Sequence, residues 1–350
     1  MSYPQQHTFD YELNLELESG SKLPQFSLRY HTWGTLSPDR DNVVWVCHAL
    51  TAGSDVSLWW PDLIGPDKFF DPDNYFIVCA NMLGGCYGST GPLSPCPDTG
   101  RPYFHSFPTV TNRDIATCFD KLREHLGISR IHTLIGGSLG GQQAMEWSIA
   151  NPEVPERLVL LATNARHSPW GIAFNESQRQ AIEQDITWQL NTPRAGKEGL
   201  KVARSIALLS YRHYNAYNAT QADQEDSLDD YRASSYQRYQ GEKLVARDFD
   251  AYTYWHLSKA MDSHNVGRNR CGVPAALAGI RAATLVIGID TDILFPPEEQ
   301  KTLARHIPGC RLEIINSRYG HDGFLLETDQ LSSSIDNFYK TNAREAAIAT

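Results

Sequence analysis

The chain has 350 residues, 41% hydrophobic and 21% charged, with 41 acidic against 31 basic side chains and a formal net charge of −10. That supports a sizeable core in one large domain or in a core with an insertion; the acidic balance, without any run of five Lys or Arg, speaks against nucleic-acid binding. Seven cysteines without a C-x-x-C, an N-terminus with neither a basic start nor an apolar core, and apolar runs far shorter than a bilayer span predict a soluble cytoplasmic protein with reduced thiols.

Residues 7–34, HTFDYELNLELESGSKLPQFSLRYHTWG, alternate and turn at ESGSKLP, which predicts an opening antiparallel hairpin. NVVWVCHAL (42–50) and YFIVCANML (75–83) are near-continuous apolar runs, the pattern of strands buried on both faces of a parallel sheet. RDIATCFDKLREHLG (113–127) has helical spacing, with Ile115, Phe119, Leu122 and Leu126 on one side and Gly127 as a stop. A strand at 130–136, a helix at 139–152 ended by Asn151-Pro152 and a strand at 156–163 continue the rhythm. It pauses from about 165 to 275, where helical patterns, aromatics and the acidic loop QADQEDSLDD (221–230) stand, and resumes with strands at 283–290 and 310–316 and a last helix after Gly323. The reading is an α/β protein, a mostly parallel sheet with helices on both faces. Residues 1–165 and 276–350 form the core, 166–275 a helical insertion, and the tail NAREAAIAT is expected to fray.

Gly136-Gly137-Ser138-Leu139-Gly140 fits G-x-S-x-G. The pattern alone is weak, but its position between a predicted strand and a predicted helix is that of a nucleophile elbow. There a serine holds a strained conformation at a tight turn, and glycines on either side avoid clashes of close backbones. Its hydroxyl then stands at a helix N-terminus, which favours negative charge. A serine needs a base, and the base an orienting carboxylate, in the order Ser, Asp/Glu, His. LVIGIDTDILFPP offers Asp290 and Asp292, of which Asp292 is favoured because it lies just beyond the strand end. NSRYGHDGFLLE offers His321 as base, between Gly320 and Gly323. The oxyanion donors are expected from the N–H of Leu139 and of Leu50, in the loop VCHALTAG, where His48 reads as structural.

These features indicate serine acyl chemistry but do not separate hydrolase from transferase. CHALTAGSDV, NMLGGCYGSTGP, DTGRPYFHSFP, GGSLGGQQAMEW, YQGEKLVARDFDAYTYWHLSKAMDSHN and GHDGFLLE, in that order, resemble the homoserine O-acetyltransferase family of the α/β-hydrolase fold, over about residues 8–340. The resemblance implies a ping-pong mechanism in which Ser138 takes an acetyl group from acetyl-CoA and passes it to L-homoserine. The product, O-acetylhomoserine, would feed methionine synthesis, with no metal or prosthetic group. It also implies Arg204 and Tyr211, seven apart on one helix face, for the homoserine carboxylate, and Asp322 for its ammonium. Arg247 and Asp248 stay unassigned, because ARDFD carries an extra Asp248. A homodimer through the helical insertion, which acts as a lid, is implied as well. Eight of the 16 tyrosines lie in the insertion, and tyrosine is enriched at interfaces. A succinyl donor, a serine acceptor and a plain serine esterase remain alternatives.

Overall fold

The computed structural model describes residues 4–224, 226 and 228–349. Strand β1 (Gln5–Tyr11) pairs antiparallel with β4 (Phe26–Trp33), from Gln5 opposite Thr32 to Tyr11 opposite Phe26. The predicted turn between them carries a second small ladder, β2 (Leu15–Glu16) with β3 (Lys22–Leu23). Then follow β5 (Val43–Cys47), β6 (Phe76–Ala80), α1 (Asn112–His125), β7 (Thr133–Gly137), α2 (Leu139–Ala150) and β8 (Arg157–Leu161). Six helices come next: α3 (Pro169–Glu183), α4 (Lys197–Tyr211), α5 (Tyr214–Gln221), α6 (Arg232–Val245), α7 (Ala251–Asp262) and α8 (Val273–Leu277). The chain closes with β9 (Ala283–Ile289), α9 (Pro297–His306), β10 (Arg311–Ile315), α10 (Gly323–Leu326) and α11 (Thr328–Ala349).

Eight strands form one sheet in the order β1-β4-β6-β5-β7-β8-β9-β10. β4 meets β6 antiparallel, and from β6 to β10 every pairing is parallel. The apolar runs follow from that position. Val43, Trp45 and Cys47 face one core, with Phe119 of α1 and Trp147 of α2, while Val44 and Val46 face the other, with Leu331, Ile335 and Phe338 of α11. A strand covered on both sides has no place for a polar alternation. α1 begins at a capping box, in which Thr111 and Asp114 satisfy each other's backbone N–H groups.

Two boundaries differ from the sequence reading. The seam placed at 275/276 falls inside α8, because the turn of the chain back into the sheet is itself helical. The tail expected to fray continues α11 as far as Ala349. In the acidic loop, Asp223 accepts the N–H of Arg232, while Glu225 and Ser227 lie outside the described residues. The insertion is anchored to the core by charge: Glu18 takes Arg113 and Arg268, and Glu146 takes Arg113 and Arg270. Among the described residues no helix is long and apolar enough to cross a membrane.

Candidate active site

Ser138 is the hinge between β7 and α2, with φ 56° and ψ −125°, a conformation that side chains other than glycine rarely hold. The turn is over-determined by its neighbours. The Ser138 N–H donates to the Leu161 carbonyl at 2.9 Å, and its own carbonyl accepts from Thr163 Oγ1 at 2.8 Å and from the Gln142 N–H at 3.2 Å. The glycines are required by space. A Cβ on Gly136 would meet the Gly140–Gly141 backbone, and one on Gly140 would meet the carbonyl of Cys47 at the end of β5. One on Gly137 would meet the Phe324 ring, and one on Gly141 the Thr163 side chain. Only Gly136 is thus constrained across the elbow itself; Gly140 is dictated by the neighbouring strand.

Asp292 and His321 meet beyond β9 and β10. His321 Nδ1 donates to Asp292 Oδ2 at 2.7 Å, and both side chains are buried. Asp292 Oδ1 accepts the N–H groups of Leu294 at 2.8 Å and Phe295 at 2.9 Å, so both its oxygens are engaged. With Nδ1 committed, Nε2 is the basic ring nitrogen. Asp290 turns away from the imidazole and accepts from Asn316 Nδ2 at 2.7 Å and from the Ser317 N–H at 3.0 Å. Thr291 Oγ1 takes the Gly320 N–H at 3.1 Å. These bonds fasten the histidine loop, in which Gly320 has φ 66° and no room for a Cβ against His213 and Tyr211. The imidazole stacks on Phe295, with centroids 5.0 Å apart, and meets Phe324 edge-on at 5.2 Å and Tyr211 at 5.8 Å. Phe324 also lies against Gly137, so one ring spaces the imidazole from the elbow.

The N–H of Leu139 opens α2, where backbone donors lack intrahelical partners. Leu50 lies in the loop after β5, and neither N–H has a protein acceptor among the described residues. His48 sets that loop. Its Nδ1 donates to the Ala49 carbonyl at 2.9 Å, and its Nε2 accepts the Met82 N–H at 3.3 Å. Burial lowers its pKa to about 4, so it is a neutral strut whose ring nitrogens are both occupied.

The lid side contains Arg204 and Tyr211, both on α4, with the guanidinium 5.5 Å over the tyrosine ring. Tyr211 in turn touches His321. Arg204 Nη1 is buried and has no hydrogen-bond partner among the described residues. Asp322 Oδ2 accepts from Arg212 Nε at 3.1 Å. Burial raises the Asp322 pKa, while Arg212, Arg204 and His321 pull it down. Arg212, the residue after Tyr211, has no signal of its own in the sequence, since its partner stands 110 positions away. Arg247 donates to the Thr51 carbonyl at 3.1 Å, clasping the lid onto the Leu50 loop, and the extra Asp248 is absorbed at φ 57°.

A family model described as alpha/beta hydrolase fold matches residues 42–328. A homoserine O-acetyltransferase of Cyclobacterium marinum is 52% identical over 328 residues, covering 94% of this chain and 93% of that protein. One of Chlorobaculum parvum is 44% identical over 319 residues, covering 90% and 89%. Among solved structures, the homoserine O-acetyltransferase of Staphylococcus aureus superposes with a TM-score of 0.79 at 30% identity, over 97% of this chain and 96% of that one. Esterase E22 shares the fold, with a TM-score of 0.87 at 23% identity over 96% of this chain and all of that one. The chain belongs to the homoserine O-acetyltransferase family, built on the α/β-hydrolase fold.

Proposed function

We propose that this protein transfers an acetyl group from acetyl-CoA to the hydroxyl of L-homoserine through an acyl-Ser138 intermediate. In the first half, His321 Nε2 takes the Ser138 proton as Oγ attacks the thioester carbonyl. The N–H groups of Leu50 and Leu139 hold the oxyanion, and CoA leaves as thiol with the proton from His321. In the second half, His321 takes the proton of the homoserine hydroxyl, which attacks the acyl-serine. O-Acetylhomoserine forms, and the proton returns to Ser138. Asp292 keeps Nδ1 protonated and stabilises the imidazolium throughout. The reading needs no metal or prosthetic group.

The observation that carries this reading over an esterase is the buried Nη1 of Arg204, unpartnered among the described residues, beside Tyr211, whose ring in turn meets His321. A buried guanidinium nitrogen without an acceptor suits a carboxylate that arrives with the acceptor substrate. Asp322, with Arg212 on one oxygen, is the acid within reach of an ammonium. All seven cysteines are free, which fits a reducing compartment, and a cytoplasmic location belongs to this proposal. A homodimer through the lid belongs to the same proposal. Thiol release from acetyl-CoA and from succinyl-CoA, each with and without L-homoserine or L-serine, tests it. Rapid release that requires acetyl-CoA and homoserine is expected, and it should vanish in Ser138→Ala. Release without any amino acid would make water the acceptor and the protein an esterase. Release only with succinyl-CoA, or only with serine, would change the donor or the acceptor.

A further inference from the structure

Behind the elbow runs a chain of buried side-chain amides that ends on a carboxylate outside the triad. Asn112 Nδ2 donates to Gln142 Oε1 at 3.1 Å, Gln142 Nε2 to Asn164 Oδ1 at 2.9 Å, and Asn164 Nδ2 to Glu299 Oε2 at 2.9 Å. Every donor points toward Glu299, in the first turn of α9, which terminates the chain as a pure acceptor. The Gln142 backbone N–H holds the Ser138 carbonyl. Next to Glu299, Gln300 Nε2 donates to the Thr163 carbonyl at 2.8 Å, and Thr163 Oγ1 donates to the Ser138 carbonyl at 2.8 Å. α9 therefore reaches the back of the nucleophile by two routes. Glu299 also lies in the field of Asp292 and His321.

We propose that Glu299 is a positioning residue of the acyl-transfer site: its carboxylate terminates the amide chain that holds the elbow. The inference rests on Ser138 being the nucleophile of the proposed reaction. The groups around Glu299 are Asn164, whose amide it accepts, and Arg166, Thr302 and His306, which share a cleft with it. Burial raises the Glu299 pKa to about 7; Asp292 pushes the same way, while hydrogen bonds from Asn164 and Ser168 and the charge of His321 pull it down.

The test uses Glu299→Gln, which keeps an acceptor for Asn164 and removes the charge, beside Glu299→Leu, which removes both. In thiol release from acetyl-CoA with homoserine, Glu299→Gln is expected to keep its plateau kcat within about threefold of wild type. Glu299→Leu should lose about tenfold or more in kcat with little change in KM, as expected when the elbow loosens. Denaturant unfolding reads the amide chain without turnover, with Glu299→Leu destabilised and Glu299→Gln close to wild type, so a failure of acyl transfer and a failure of this inference are separate results. Full activity in Glu299→Leu would overturn the proposal, as would a loss in Glu299→Gln as large as that in Glu299→Leu.

Discussion

Two aspartates two residues apart play different roles because their lone pairs are spent differently. Asp292 gives one oxygen to His321 and the other to two backbone N–H groups, whereas Asp290 gives both to the loop that carries the histidine. Asp292→Asn is therefore expected to lower kcat by about 10³–10⁴-fold through loss of the correct tautomer. Asp290→Asn should stay within about tenfold of wild type but lose ~1 kcal/mol of stability, since its acceptor geometry is only partly kept. Steady-state kinetics beside denaturant unfolding separates the two; the reverse ranking would exchange their roles. At Arg204 the expected change is in substrate binding. Arg204→Ala should weaken homoserine by about 2–3 kcal/mol, seen as a raised KM with acetyl-CoA saturation unaffected. An unchanged KM would remove Arg204 from the acceptor site. Arg204→Lys should restore little, because a point charge does not replace a planar fork.

At the scale of elements, the elbow depends on how β5, β7 and α2 are packed. Gly140 is in the first turn of α2, a place where alanine would ordinarily favour the helix. Here its Cβ would enter the carbonyl of Cys47. Gly140→Ala is thus expected to destabilise the protein by about 3 kcal/mol, the scale of overpacking against backbone that cannot retreat. Denaturant midpoints check this, and a neutral or stabilising result would show that β5 can shift away from α2. The strain at Ser138 persists because Leu161, Thr163 and Gln142 hold it from three directions. The same logic explains His48: a buried neutral ring between Ala49 and Met82 fixes the loop bearing Leu50 without titrating near neutral pH.

For the whole molecule, the lid helices leave an apolar stripe uncovered. On α4, Val202 is 52% and Leu209 55% exposed, with Ile206 between them on the same face, and Tyr214 at the start of α5 is 72% exposed. Residues at i, i+4 and i+7 share one side of a helix. A second copy of the lid would cover this stripe and leave Arg204 facing inward. The expected mass in solution is twice the chain mass of 39.3 kDa, and Val202→Glu with Leu209→Glu should return it to one. Light scattering distinguishes these outcomes, and an unmodified chain that runs as a monomer would end the dimer proposal.

Much of the fold was legible in the sequence, because its signals are local. Strands buried on both faces must be apolar throughout, as at Val43–Cys47, and an elbow needs glycine beside its serine. The order of Ser138, an aspartate and His321 after successive strands could likewise be read along the chain. Tertiary structure alone decided what depends on distant partners. It gave Asp322 to Arg212, clasped Arg247 to Thr51, placed α8 across the expected seam and ended an amide chain on Glu299. Each pairing joins side chains whose residue types are ordinary in isolation. Their meaning comes from burial, which turns an ordinary carboxylate or amide into a group that must find its partner.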